Sequence, residues 1–286
     1  MKQRVVLSIG ELLWDMLPDG KRLGGAPVNF AYYVERGGCK AYAVSAIGRD
    51  ALGDELLAEF NCLGLDSSFI QRNENPTSSV GVSLDSNGVP QYEIYENVAW
   101  DNICADEKIL ALSQTADAIC WGSLAQRSEK SRQAILQIID NSSENTLKIF
   151  DINLRQNFYS KEIIENSLVR ADVLKLNEDE IVVLAEMFGL SGDIQAKMKS
   201  LMDIYSLRYL IFTMGGEGSI IMNNDGEMSH QKPIATKIVD TVGAGDSFTA
   251  TFIASILNGV DFREAHKMAS NMASKVCGHS GAIVKI

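Results

Sequence analysis

Short apolar runs and amphipathic stretches alternate along most of the 286-residue chain. Val5-Val6-Leu7-Ser8-Ile9-Gly10 is rich in β-branched residues and closed by glycine, the pattern of a strand buried on both faces. The same texture recurs at 41–47, 118–121, 147–150, 172–176 and 209–213, and 69–70 begins another extended piece. Helical periodicity is predicted at 51–62, 128–140, 161–169, 179–188, 194–205, 245–257 and 261–277, and Pro27 suits the first turn of a helix ending at Gly37-Gly38. Such alternation predicts an α/β fold, a mostly parallel central sheet with helices on both faces. Near the end, 219–222 and 227–229 flank Asn223-Asn224-Asp225-Gly226, a hairpin expected at an antiparallel sheet edge, and 283–286 is expected to close the sheet. One region breaks the rhythm. β-type runs at 78–84 and 89–95 surround Ser86-Asn87-Gly88, a hairpin turn signal. With 11–22, which carries the turn Pro18-Asp19-Gly20, it predicts a small β lid formed by about 11–22 and 78–100 on a single domain spanning 1–286.

Composition narrows the setting. At 46% hydrophobic and 22% charged, the chain has the balance of an ordinary globular protein. A formal net charge of −11 argues against nucleic acid or an anionic membrane as partner. The first apolar run is short and soon followed by Glu11 and Asp15, so neither a signal peptide nor a membrane span is expected, and a cytoplasmic location is. Five cysteines without a C-x-x-C pair fit reduced thiols. The three histidines lack zinc-site spacing and are expected at the surface or at helix ends.

The chemistry centres on Asp240-Thr241-Val242-Gly243-Ala244-Gly245-Asp246, a loop feeding the apolar helix that follows. Gly243 and Gly245 allow positive φ and close backbone approach. The helix N-terminus favours an anion. Asp246 would then sit beside a phosphate as a base for a hydroxyl proton; the plainer reading is an N-cap or first-turn charge. Gly24-Gly25 precedes another helix start, with Asn29 on its first turn facing the space near Asp15. Trp100 either stacks on a substrate or anchors the lid. Ligands of open α/β sheets bind beyond the carboxyl ends of strands. Asp15, 151–155, 177–180 and 213–218 each follow a predicted strand end and can therefore converge. No Walker sequence or Rossmann glycine spacing is present.

Gly24-Gly25-x-x-x-Asn29, Asp151-x-Asn153-x-Arg155, Asn177-x-x-Glu180, Thr213-x-Gly215-x-x-Gly218 and Asp240-Thr-x-Gly-Ala-Gly-Asp246 occur in an order that resembles the ribokinase or PfkB sugar kinases. Within that family, 24–31, 96–101 and 122–127 are similar to bacterial fructokinases. The resemblance implies a ribokinase-like fold and ATP-dependent phosphorylation of a primary hydroxyl, giving fructose 6-phosphate from D-fructose. Alternatives are another sugar, a sugar acid such as 2-keto-3-deoxygluconate, a nucleoside such as aminoimidazole riboside, or a non-catalytic sugar sensor. It assigns Asp15, Gly25 and Asn29 to the sugar, Asp246 to the base, and the amides of Ala244, Gly245 and Asp246 to the transferring phosphoryl group. Arg155 would balance phosphate charge or hold the sugar, as against a surface ion pair. Asn177 and Glu180 would orient Mg²⁺ through water, or form only a helix-cap pair. Thr213, Gly215 and Gly218 would line ATP, with Asn271 near adenine. Asp240, Val242, Val276, His279 and Gly281 correspond to a K⁺ loop in many relatives. The lid's edges, with Val82, Leu84, Tyr92 and Ile94, suggest a homodimer, as against packing on the chain's own body.

Overall fold

The computed structural model describes residues 3–17, 20–84 and 90–285, leaving out the side chains of 82–92. The expected turns at Pro18-Asp19 and Ser86-Asn87-Gly88 lie outside the described residues. In chain order the strands are β1 (Val5–Ile9), β2 (Leu13–Leu17), β3 (Gly20–Gly24), β4 (Lys40–Gly48), β5 (Ile70–Asn73), β6 (Ser78–Leu84), β7 (Pro90–Ile94), β8 (Ala118–Trp121), β9 (Leu147–Asp151), β10 (Val173–Asn177), β11 (Tyr209–Thr213), β12 (Ser219–Asn223) and β13 (Met228–Gln231). The helices are α1 (Ala26–Arg36), α2 (Ala51–Cys62), α3 (Glu107–Ser113), α4 (Glu129–Asp140), α5 (Lys161–Leu168), α6 (Glu178–Phe188), α7 (Ile194–Tyr205), α8 (Ala244–Leu257) and α9 (Phe262–Cys277).

Among the described residues the main sheet has the order β13-β12-β11-β10-β9-β8-β1-β4-β5. It is parallel from β11 through β5, with β12 and β13 antiparallel at one edge, as the hairpin signal predicts. Alternate side chains serve opposite faces. Leu7, Ile9, Ile119, Trp121, Phe150, Leu174, Leu176, Leu210 and Phe212 pack with α4 to α7, while Val6, Cys120, Ile149, Val173 and Ile211 pack with α1, α2, α8 and α9. That two-sided burial is why these strands read as continuous apolar runs. From β1 the chain proceeds first to β4 and later to β8 on its other side, which makes the gap between β1 and β8 the topological switch point.

A second sheet, β3-β2-β6-β7, forms the lid. It is shorter than expected: residues 96–98 lie outside its strands, and Ala99–Asn102 form a 3-10 turn. In its β2–β3 pair, Asp15 is opposite Arg22. Part of the outer face is already covered, because Trp14 donates its indole N–H to Leu52 O of α2 and Lys21 pairs with Glu55 over the Trp14 ring. Ile94, expected on an outward face, lines the internal cavity instead.

The expected closing strand does not form, since residues 283–285 carry no strand and Ile286 lies outside the described residues. Helix α1 provides the reason. Tyr32 Oη donates to Val284 O, and Tyr33 Oη donates to Ala282 O at 2.8 Å while accepting from Val284 N. Side-chain hydroxyls thus satisfy main-chain groups that a sheet neighbour would have taken. The surface expectation also fails for His266. It is fully buried between Ser219 Oγ (2.7 Å) and Ser229 Oγ (2.8 Å), and burial, helped by His230, lowers its pKa to about 4.

Candidate active site

A cavity of about 1140 Å³ runs along the carboxyl ends of the strands, beneath the lid. Its lining includes Asp15, Gly25, Asn29, Arg155, Asn177, Thr213, Gly215, Gly218, Asp240, Val242, Gly243, Ala244, Gly245, Asp246 and Gly281. Residues far apart in sequence therefore meet, because each follows a strand of one parallel sheet.

Gly243 is the N-cap of α8, with φ 75°, and a Cβ there would stand 2.5 Å from Ala282 Cβ. Only glycine fits both demands. Ala244 N–H turns back to Thr241 O at 3.2 Å, which narrows the expected anion site to the first-turn amides of Gly245 and Asp246. Asp246 Oδ2 accepts from Asn29 Nδ2 at 2.8 Å. This bond ties the start of α1 to the start of α8. Burial raises Asp246 to about 6, the charge of Asp151 adding to it, while the Asn29 bond, Lys175 and Arg155 oppose. A carboxylate with that poise suits proton abstraction near neutral pH.

Several neighbours carry no motif of their own. Lys175 on β10 is 6% exposed, with Nζ 3.1 Å from Asp151 Oδ1. It lies 3.1 Å from where a Cβ on Gly245 would be. Burial works against its charge, yet Asp151, Glu180 and Asp246 outweigh burial and raise its pKa. Asp151 Oδ2 also accepts from Thr249 Oγ1 on α8. Sequence reasoning missed Lys175 because a lone lysine in an apolar strand looks like an edge residue. Arg22 was missed too. From β3 its Nη1 reaches Ser280 Oγ at 2.7 Å, bridging lid and body. Asn153 and Gln156 flank Arg155 with φ of 43° and 46°, backbone strain of the kind that gathers at functional sites.

The remaining expected residues divide by geometry. Asp15 is raised by burial and by Asp240, with Arg155 opposing. Arg155 is exposed, its Nη1 donating to its neighbour Leu154 O. Asn177 and Glu180 form a reciprocal capping box: Glu180 N bonds Asn177 Oδ1, and Glu180 Oε2 accepts Asn177 N while Oε1 accepts Leu154 N. Asn177 lines the cavity together with Glu178 and Asp179, and Glu180 does not. Among the described residues no cluster of three or more acidic, histidine or cysteine ligands could cage a metal.

Trp100 does not touch the cavity. It is 0% exposed in the core, with the Arg127 guanidinium 4.0 Å from its ring centre. Arg127 also grips Asp101 with two 2.9 Å bonds, so Trp100 anchors the lid's return to the body. Asn271 is exposed and off the cavity wall, where α9 presents Ser270, Ala273, Ser274 and Cys277. Asp240 accepts from Val242 N and Gly281 N, joining the two halves of the expected K⁺ loop. Val276 is buried, however, and His279 Nδ1 turns to Lys275 O. Arg22 already brings positive charge to that turn.

A half-buried carboxylate at a helix N-terminus, an ammonium group beside the first-turn amides, and a lid over the switch point fit one class: phosphotransferases acting on a hydroxyl. The chain belongs to the pfkB family of carbohydrate kinases, whose model matches residues 19–286. A sugar kinase of Pyrococcus horikoshii is 26% identical, the match covering 97% of this chain and 91% of that protein. Its solved structure, known also in complex with ATP, superposes with a TM-score of 0.83 and covers 97% of this chain and 93% of its own. A 5-dehydro-2-deoxygluconokinase of Clostridium botulinum is 28% identical over 91% of this chain and 80% of its own. A fructokinase of Escherichia coli is 27% identical over 88% of this chain and 84% of its own. Among the described residues no helix is long and apolar enough to cross a membrane.

Proposed function

We propose that the chain transfers the γ-phosphoryl group of ATP to the primary hydroxyl of a sugar, and that D-fructose, giving fructose 6-phosphate, is its acceptor. The observation that carries this reading is the Asn29–Asp246 pair at the start of α8, where a sugar-side helix and an anion-binding helix end meet. Asp15, Asn29 and Asp246 offer the polar groups that hold sugar hydroxyls. The glycine-rich half, with Thr213, Gly215, Gly218, Pro233 and Ile238, offers a flat, partly apolar wall for a nucleotide. Asp246 takes the hydroxyl proton as the acceptor oxygen bonds to phosphorus and the bond to the leaving oxygen breaks. The amides of Gly245 and Asp246, with Lys175 behind them, stabilise the charge in flight. Mg²⁺, arriving with ATP, supplies charge neutralisation of the phosphates. Asn177, Glu178 and Asp179 suit an ion held largely through its own waters, with Glu180 as their structural support. Similarity to the Escherichia coli fructokinase supports fructose.

A sugar acid is the second reading, favoured by two guanidinium groups, Arg22 and Arg155, in the cavity lining and by similarity to the Clostridium enzyme. A coupled ADP-release assay across fructose, ribose, 2-keto-3-deoxygluconate, 5-dehydro-2-deoxygluconate and nucleosides separates the two. Fructose turning over with the highest kcat/KM is expected. Preference for an acid overturns fructose, and no turnover with any acceptor overturns the kinase reading in favour of a sensor.

A further inference from the structure

Glu11 follows β1 at the switch point and is 6% exposed. Its Oε1 accepts the amide of Ala26, the first residue of α1, at 3.1 Å. Its own carbonyl oxygen packs where a Cβ on Gly25 would lie, so the glycine is required there by Glu11 as well as by any ligand. Helix α1 then presents Asn29 to Asp246 Oδ2. A chain of contacts therefore runs from Glu11 through the helix start to the base.

A second link is more direct. Adjoining the large cavity, with Glu11, Ala26, Asn153 and Asp246 in both walls, is a small one of about 20 Å³, lined also by Asp151 and Cys120. It has room for one water. Glu11 also lines the large cavity, so its carboxyl borders both. The charged and titratable groups facing it are Asp246 from α8, Asp151 from β9, Arg155 from the loop after β9, and the Cys120 thiol from β8.

We propose that Glu11 is a second carboxyl of the acceptor site, holding the start of α1 through Ala26 and setting the charge against which Asp246 takes the acceptor's proton. The proposal rests on the phosphotransfer reading above. Burial pushes Glu11 up to about 7; the amides of Glu11 and Ala26 oppose, Asp246 adds and Arg155 opposes. Asp246 lies at about 6, so between these values the base is ionised while Glu11 keeps its proton. One negative charge then faces the incoming phosphoryl group rather than two. A protonated Glu11 also has an O–H to offer an acceptor oxygen, and it retains that proton throughout, since the acceptor's own proton goes to Asp246. As the pH rises past about 7, Glu11 ionises and the added charge repels the phosphates.

Wild-type kcat/KM is expected to rise through about pH 6 and fall through about pH 7. Glu11→Gln keeps a neutral group of the same shape. It should abolish the falling limb while leaving the acceptor KM below pH 7 within about threefold, since its amide N–H donates where the protonated carboxyl did. An unchanged bell in E11Q overturns the proposal. Turnover is not needed for a second measurement. ¹³C NMR titration of labelled side-chain carboxyls in the full chain should show two groups with midpoints near 6 and 7, and Asp246→Asn should remove the lower midpoint and move the upper one down. Carboxyls titrating only below pH 5 overturn the proposal whether or not E11Q folds. Absence of turnover with every acceptor overturns the phosphotransfer reading instead.

Discussion

Asp246 and Lys175 illustrate how single residues carry opposite burdens in this site. The folded-state pKa of Asp246, about 6, lies above its ordinary 3.8. Its contribution to stability is therefore intact below about pH 4 and is lost as the pH rises through 6. At pH 8 the ionised group costs about 2 kcal/mol, allowing for its partial exposure. Asp246→Asn should unfold at higher denaturant concentration than wild type at pH 8, with the gain vanishing near pH 4, while kcat falls at least ~10²-fold. Wild-type turnover in that variant would remove Asp246 as base. Lys175 behaves differently, because its partner is buried as well. Lys175→Met leaves Asp151 uncompensated and should cost about 3–5 kcal/mol. Adding Asp151→Asn should return most of the stability but not the rate, and recovery of both would reduce the pair to a structural one. Neither residue could be weighed from its neighbours in sequence, since burial comes from strands and helices contributed by the whole chain.

At the scale of elements, the start of α8 is held from behind. Gly243 backs onto Ala282, Gly281 N–H is held by Asp240, and the segment at 282–284 is pinned by Tyr32 and Tyr33 of α1. Gly243→Ala combines a φ of 75° with a Cβ 2.5 Å from Ala282. Its kcat is expected to fall on the order of 10²-fold, as for loss of one oxyanion donor, with a thermal melt lowered in parallel. Tyr33→Phe removes a hydroxyl that both donates and accepts, and chemical denaturation should show a loss of about 1–3 kcal/mol. Such pinning explains why the C-terminal apolar stretch, though it reads as a strand, does not join the sheet. Strand pattern reports two-sided burial, and a segment gripped by side-chain hydroxyls can be buried without a ladder. The capping box at Asn177 and Glu180 shows the reverse case. There the local reading was available from spacing alone, and the structure fills it with 2.8 and 2.9 Å bonds.

At the scale of the whole molecule, lid and body are coupled by polar contacts, among them Trp14 to Leu52 O and Lys21 to Glu55 of α2. Arg22 reaches Ser280, and Arg127 fastens the Asp101 end of the lid's return. Since α2 covers Trp14 and Lys21, a dimer through the lid has the β7 edge as its natural seam. Sedimentation at micromolar concentration is expected to give a dimer, and a monomer would leave the lid packing on its own chain. Arg22→Met should raise the acceptor KM about tenfold with little change in the melting temperature, measured by steady-state kinetics alongside calorimetry.

The sequence by itself determined the layered α/β fold, the antiparallel edge, the lid, the loop at Asp240 to Asp246 and the strand-end motifs. These are local matters, set by side-chain periodicity, turn residues and the rule that ligands lie beyond strand ends. Only the tertiary structure decided that Trp100 and His266 are core, that Asn271 is exposed off the cavity wall, and that Glu11, Lys175 and Arg22 line the cavity. Their roles depend on what surrounds them. Desolvation, opposing charge and reach across a cavity are properties of assembled elements, and no stretch of chain contains them alone.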